Sequence, residues 1–156
     1  MPSTTDETHN GAGLPRKSVI VTGGASGIGL AITRHFASEG HNIAILDINS
    51  SSGPQIAAEI ATEFRQSAIK FWKCDVSSWE EQAAVFKAVY EEHGNNVDIV
   101  VANAGISEQG QTTLIDLKEE TPSEPRLKSV NINFVGVIYC ELLFARPVSL
   151  KRSMGI

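Results

Sequence analysis

Cysteine is scarce in this sequence of 156 residues, with Cys74 and Cys140 as its two representatives. They fall in different predicted elements and have no spacing typical of metal ligands. A disulfide framework or a zinc site is therefore not expected, and we predict no metal. Buried free thiols are the simpler interpretation, and they are typical of a reducing compartment. A cytoplasmic location is expected on this basis.

Positive charge is also in short supply. Thirteen Lys and Arg residues face eighteen Asp and Glu residues, which gives a formal net charge of −5 and argues against a nucleic-acid partner. We find no apolar run that approaches the length of a membrane span and expect no membrane partner. Residues 1–16 include Asp6 and Glu7 and lack an apolar segment, so they are predicted to be a disordered leader rather than a signal peptide.

The remainder of the chain alternates short apolar runs with segments of helical spacing. The length suits a single domain. Residues 106–125 are predicted to form a loop, and residues 145–156 an irregular tail. Continuous apolar strands separated by helices indicate a parallel sheet that is covered on both faces. We therefore predict an incomplete, doubly wound α/β domain of the Rossmann type over residues 17–144. Its predicted strands are 18–22, 42–48, 69–73 and 97–102, and a very apolar helix at 128–144 follows them.

A glycine-rich turn, TGGASGIG, occupies residues 22–29 between the first strand and the first helix. Its three spaced glycines are Gly23, Gly27 and Gly29. A pyrophosphate needs close access to the backbone, so side chains must be absent there. The N–H groups at the positive end of the following helix can then hold the anion. An ordinary tight turn between a strand and a helix would show the same glycines.

Asp47 ends the second strand, 18 residues after Gly29. An acid at this point can accept hydrogen bonds from the hydroxyls of an adenosine ribose, and it would repel a 2′-phosphate. No Lys or Arg lies in the glycine turn or just after Asp47. The pattern therefore favours NAD over NADP. The alternative is a solvated aspartate in a turn.

Three motifs together resemble the short-chain dehydrogenase/reductase family. They are TGGASGIG at 22–29, CDV at 74–76 and NAGI at 103–106, and the resemblance extends from about Lys17 to Phe144. Within the family, the chain is similar to members like NAD-dependent 15-hydroxyprostaglandin dehydrogenase and fungal alcohol dehydrogenases. The resemblance implies an oxidoreductase that moves a hydride between NAD and an alcohol or a ketone.

The resemblance also implies roles for particular residues. Asp75 would meet the adenine amino group beside the Val76 backbone, although Asp75 could equally be a residue at the helix entry. In the first motif Ser26 and Ile28 join the three glycines as cofactor-binding residues. The turn at Asn103, Ala104 and Gly105 would pass the ribose on the nicotinamide side and brace the sheet.

Asn133 resembles the helix asparagine that supports the family's proton relay. Asn131 competes for this assignment, but Asn133 is the one three residues before a glycine, Gly136. A polar residue that bends or bridges the helix is the alternative. The helix at 128–144 would, by the same resemblance, contact another subunit in a homo- or hetero-oligomer.

The sequence departs from the family in its later motifs. Members use a serine after the fifth strand and a Tyr-x-x-x-Lys pair, but Tyr90 and Tyr139 are followed four residues later by Gly94 and Leu143. We therefore expect the chain to be inactive alone. A truncated product, a splice form or a misplaced exon boundary would each give this pattern. A non-catalytic nucleotide-binding or subunit-pairing fragment is the alternative function.

Overall fold

The computed structural model describes residues 15–107 and 127–145. Most of the predicted leader, loop and tail therefore lies outside the described residues.

Four strands form one parallel sheet in the described part of the chain, in the order β3-β2-β1-β4. The first three lie where the apolar runs predicted them, with β2 one residue shorter. The fourth is half the predicted length, since its ladder with β1 covers three residue pairs, Val19 to Val21 with Ile99 to Val101. The strands are β1 (Ser18–Thr22), β2 (Asn42–Asp47), β3 (Ile69–Lys73) and β4 (Ile99–Val101).

Helices follow the first three strands, with starts and stops that match the local sequence signals. Helix α2 (Gly53–Glu63) has a proline in its first turn, a position that needs no backbone N–H. Helix α1 (Gly27–Ser38) ends before Gly40, which has a φ of +84°. Helix α3 (Trp79–Glu92) begins after Ser78, whose hydroxyl accepts the Glu81 N–H at 3.2 Å. Ser78 is thus the N-cap residue of α3, while the Glu81 carboxylate accepts the Asp75 N–H at 3.0 Å rather than the Ser78 N–H.

The last helix, α4 (Lys128–Ala145), contains a π-helical stretch that the sequence pattern did not predict. An α-helical turn at Lys128–Val130 leads into the π-helical segment Asn131–Val135, and the α-helix resumes at Gly136–Ala145. Single π-helical turns within α-helices frequently occur at functional sites. Asn133 lies inside this stretch.

The expectation that no apolar segment reaches the length of a membrane span was wrong for α4. This helix has 18 residues with a mean hydropathy of 1.2, enough to cross a membrane by length and composition alone. Asn131, Asn133 and Glu141 interrupt the apolar run but leave its average high. One such helix is weak evidence for a membrane span, because a mostly buried core helix passes the same test, although 17% of this window is buried. Helix α4 packs on the sheet through Cys140 and Leu143.

The core has two layers, one on each face of the sheet. Alternate side chains of β1 and β2 point to opposite faces. Helices α1 and α2 cover the face that holds Val19, Val21, Ile43 and Ile45. Helices α3 and α4 cover the other face, which holds Ile20, Ala44 and Leu46. The helices contribute Val85, Phe86, Val89, Cys140 and Leu143 to this layer, and Cys74 joins it from the end of β3. The predicted doubly wound arrangement is confirmed, and both cysteines are free and buried as expected.

The buried side of α3 is formed by Gln82, Val85, Phe86 and Val89. Trp79, the first residue of the helix, is exposed and packs edge-on against Tyr139. Gln82 is fully buried although its side chain is polar. A glutamine can occupy such a place because all its polar atoms find partners, which are described below.

Candidate dinucleotide-binding site

The glycine turn after β1 has three glycines that are required for different reasons. Gly23 and Gly27 have φ values of +63° and +51°, a backbone conformation that other residues rarely adopt. A Cβ atom on Gly29 would lie 2.1 Å from the Gly23 carbonyl oxygen, so no larger residue fits. A Cβ on Gly27 would meet nothing within 4 Å. The turn is thus closed on the protein side and open at Gly27.

The first turn of α1 faces this opening without a negative charge. Ser26 precedes the helix but makes no side-chain capping hydrogen bond, and the first turn contains no acidic residue. The side chain of Ile28 is 76% exposed. Backbone N–H groups at the positive end of a helix favour an anion, so this opening suits a pyrophosphate.

The Asp47 carboxylate is held beside the glycine turn by two backbone donors. One oxygen accepts the Ala25 N–H at 3.2 Å, and the other accepts the Asn49 N–H at 3.0 Å. The first bond links the end of β2 to the turn that follows β1. It places a carboxylate next to the position expected for the cofactor, as the spacing from Gly29 predicted.

Thr22, which was quoted in the glycine motif but not assigned a role, connects the turns after β1 and β4. Its hydroxyl accepts N–H groups from Asn103 and Ala104, both at 3.0 Å. The Asn103 side chain donates to the carbonyls of Thr22 at 3.0 Å and Gly23 at 3.4 Å. Asn103 therefore braces the glycine turn directly. Its proposed contact with a cofactor ribose stays a prediction.

Asp75 and Val76 follow β3, the strand next to β2 in the sheet, at the same carboxyl end of the strands. One Asp75 oxygen accepts both the backbone N–H and the hydroxyl of Ser77, at 2.9 and 2.7 Å. The hydroxyl bond is the main cause that lowers the pKa of Asp75 below its usual value. The carboxylate thus shapes the entry to α3. This agrees with the structural alternative and leaves its contact with adenine a prediction.

Asn133 joins α4 to the turn after β4. Its Oδ1 accepts the Ile106 N–H at 2.9 Å, and its Nδ2 donates to the Ile106 carbonyl at 2.8 Å. A Cβ on Gly105 would lie 3.4 Å from the same Oδ1. Asn133, rather than Asn131, is therefore the asparagine that ties the helix to the NAGI motif. A role in proton transfer is not tested by this contact.

The predicted motifs converge at the carboxyl end of the sheet. Thr22, Val76, Ala104, Gly136 and Cys140, among others, meet there without leaving space for a water-sized molecule between them. A groove of about 100 Å³ lies at the other end of β4, between Tyr90 and Phe144, and it contains none of the predicted site residues. Ligands of open α/β sheets bind at the carboxyl ends of the strands, so the carboxyl end of the sheet, rather than this groove, is the expected location of a dinucleotide. The described residues contain no group of three or more potential metal ligands.

Comparison with known proteins identifies the class. The family described as short chain dehydrogenase matches residues 17–155. The chain therefore belongs to the short-chain dehydrogenase family, as the three motifs predicted.

The curated relatives are oxidoreductases of about twice this length or more. NADP-dependent dehydrogenase M3 of Phoma sp. is 38% identical over 83% of this chain and 38% of its own length. NADP-dependent dehydrogenase clz5 of Cochliobolus lunatus is 36% identical over 83% of this chain and 45% of its own. The chain thus spans less than half of each. A closer likeness to 15-hydroxyprostaglandin dehydrogenase stays a prediction.

Solved structures agree with the fold. An NADPH-dependent 3-quinuclidinone reductase from Rhodotorula rubra matches with a TM-score of 0.72 and 27% identity, over 86% of this chain and 48% of that one. An alcohol dehydrogenase from Thermococcus sibiricus, complexed with 5-hydroxy-NADP, matches with a TM-score of 0.71 and 29% identity, over 83% of this chain and 52% of that one. The chain therefore has the fold of about half of each of these proteins.

Proposed function

We propose that this chain is the nucleotide-binding part of an oxidoreductase that moves a hydride between a nicotinamide dinucleotide and an alcohol or a ketone. The observation that carries the proposal is the glycine turn, which is open at Gly27 and braced from behind by Asn103. The α1 helix presents its positive end to the same opening. These features hold an anion through the backbone, which is how dinucleotide pyrophosphates are bound in such folds.

The chain's own residues would bind and orient the cofactor. Asp47 would accept hydrogen bonds from the ribose hydroxyls of adenosine, and the Val76 backbone would lie beside adenine. The turn at Asn103 and Ala104 would lie alongside the ribose on the nicotinamide side. When bound, the nicotinamide supplies or accepts the hydride. Asn133 would support a proton relay from α4. No tyrosine in the 156 residues has a lysine four positions later, so binding, rather than turnover, is the appropriate test.

The preference between NAD and NADP is proposed from charge. The Asp47 carboxylate beside Ala25 would repel a 2′-phosphate, which favours NAD. The names of the two fungal relatives and of the reductase from Rhodotorula rubra favour NADP or NADPH instead. NADP is therefore the second candidate, and a single substitution can separate the two.

The test is calorimetric titration of the chain with NAD and NADP, before and after Asp47→Asn. Asparagine keeps an oxygen to accept the Ala25 N–H but removes the charge. We expect the unmodified chain to prefer NAD, and the variant to bind NADP about tenfold better relative to NAD, which corresponds to about 1.4 kcal/mol.

Asp98→Asn is the matched control. Asp98 also accepts a backbone N–H, from Ser18 at 2.7 Å, but it precedes β4 at the opposite edge of the sheet. This control should leave the ratio of NAD to NADP affinity unchanged. A stronger affinity of the unmodified chain for NADP would establish the second candidate. Absence of binding to both nucleotides would contradict the proposed function itself.

A further inference from the structure

Gln82 makes a buried clamp that the family motifs do not include. Its side chain has no exposed surface. Nε2 donates to the carbonyl oxygens of Val76 at 2.6 Å and Gly136 at 3.0 Å. Oε1 accepts the thiol of Cys140 at 3.2 Å. Both N–H groups and the carbonyl of the amide are thus used, which is the condition for burying an amide without a penalty.

The two carbonyls that Gln82 binds belong to different parts of the site. Val76 lies in the turn proposed to meet adenine, whereas Gly136 directly follows the π-helical stretch that carries Asn133. A Cβ on Gly136 would lie 2.9 Å from the Val76 carbonyl oxygen, so the helix and the turn are in close contact. Gln82 spans them from α3 and fixes their separation.

We propose that Gln82 is a positioning residue that couples the adenine end of the dinucleotide site to the helix that carries Asn133. The inference rests on the proposed function, because it assigns adenine to the Val76 turn. Without the Gln82 amide, the buried carbonyls of Val76 and Gly136 lose this shared donor. The contact that fixes the position of the turn relative to α4 would then be weaker. A ligand that orders the turn is therefore expected to order the helix as well, through this contact.

The first experiment compares Gln82→Met with Val85→Ala in the full 156-residue chain. Methionine has a similar volume but makes none of the three hydrogen bonds. Val85 is buried on the same helix and in the same core, so its truncation removes stability without touching the clamp. Both variants should melt at lower temperature. Each is then titrated with NAD, with AMP as the adenine half and with nicotinamide mononucleotide as the other half.

We expect Gln82→Met to weaken NAD and AMP binding about tenfold, the size of effect that one buried hydrogen bond has on an equilibrium. Binding of nicotinamide mononucleotide should not change, and Val85→Ala should alter none of the three affinities. Equal losses of AMP affinity in both variants would mean that Gln82 contributes stability alone and would overturn the coupling.

A second experiment needs no substitution and covers the case in which Gln82→Met does not fold. Hydrogen exchange of the unmodified chain is followed with and without AMP. Protection of residues 136–145, in addition to the glycine turn and residues 75–76, would support the coupling. Protection confined to the turns would overturn it. If the unmodified chain binds neither AMP nor NAD, the proposed function fails, and this inference fails with it.

Discussion

Gly27→Ala tests whether the open side of the glycine turn is the anion site. Gly27 has a φ of +51°, and an added Cβ would meet no atom within 4 Å. The substitution therefore introduces backbone strain but no steric clash with the protein. A residue other than glycine costs about 1–2 kcal/mol in this conformation. A reduced entropy of the unfolded chain offsets about 0.4–1 kcal/mol of that cost. A net loss of about 1 kcal/mol corresponds to a melting temperature lower by about 2–4 °C.

Gly94 offers a matched control. It follows α3, has a φ of +71°, and a Cβ on it would also meet nothing within 4 Å. Gly94→Ala should therefore lower the melting temperature by a similar amount. The two variants should differ in nucleotide binding, because only the methyl group on Gly27 occupies the space through which a pyrophosphate approaches the backbone.

The assay is thermal melting of both variants, followed by calorimetric titration with NAD and NADP. We expect Gly27→Ala to weaken binding at least tenfold, or about 1.4 kcal/mol, and Gly94→Ala to leave it unchanged. Unaltered binding by Gly27→Ala would refute the assignment of the pyrophosphate to this turn. A comparable loss in Gly94→Ala would show that strain, rather than the site, controls the affinity.

Three further predictions concern the fold. Burial raises the pKa of Cys74 and of Cys140 to about 12, so at pH 8 only about one thiol in ten thousand is ionised. A thiol reagent should therefore label neither cysteine until denaturant is added. Rapid labelling of the folded chain would contradict this burial. The hydrogen bond from the Ser18 N–H lowers the pKa of Asp98, so the stability that ionised Asp98 contributes is present above the ordinary carboxyl pKa of about 4 and is lost as the pH falls through the lowered pKa. Asp98→Asn should therefore reduce the fall of the urea-derived unfolding free energy at acidic pH. An unchanged pH dependence would contradict the prediction. In the part of the chain that the structure describes, β4 is an outer strand of the sheet and Phe134 on α4 is 63% exposed. The chain should therefore self-associate in size-exclusion chromatography, and Phe134→Lys should reduce this association. A monomer with a sharp melt would refute the prediction.

Much of the fold could be predicted from the sequence because its signals are local. The β-branched run in β1 and the capping serine before α3 act over a few residues and specify their own elements. The glycine turn could be predicted for the same reason, since its backbone conformation is required at fixed spacing between a strand and a helix. The position of Asp47 followed from the length of one helix and one strand.

The tertiary structure decided the interactions that join distant segments. The Thr22 hydroxyl meets the turn after β4 across 81 residues, and Gln82 meets Gly136 across 54 residues. Neither contact has a local signature, because each depends on the sheet order and on how closely α3 and α4 approach. The bond between Asn133 and Ile106, which joins the π-helical stretch to the turn after β4 across 27 residues, is likewise non-local. The sequence alone therefore determined which elements form and where the dinucleotide motifs lie, while packing determined which side chains hold them in place.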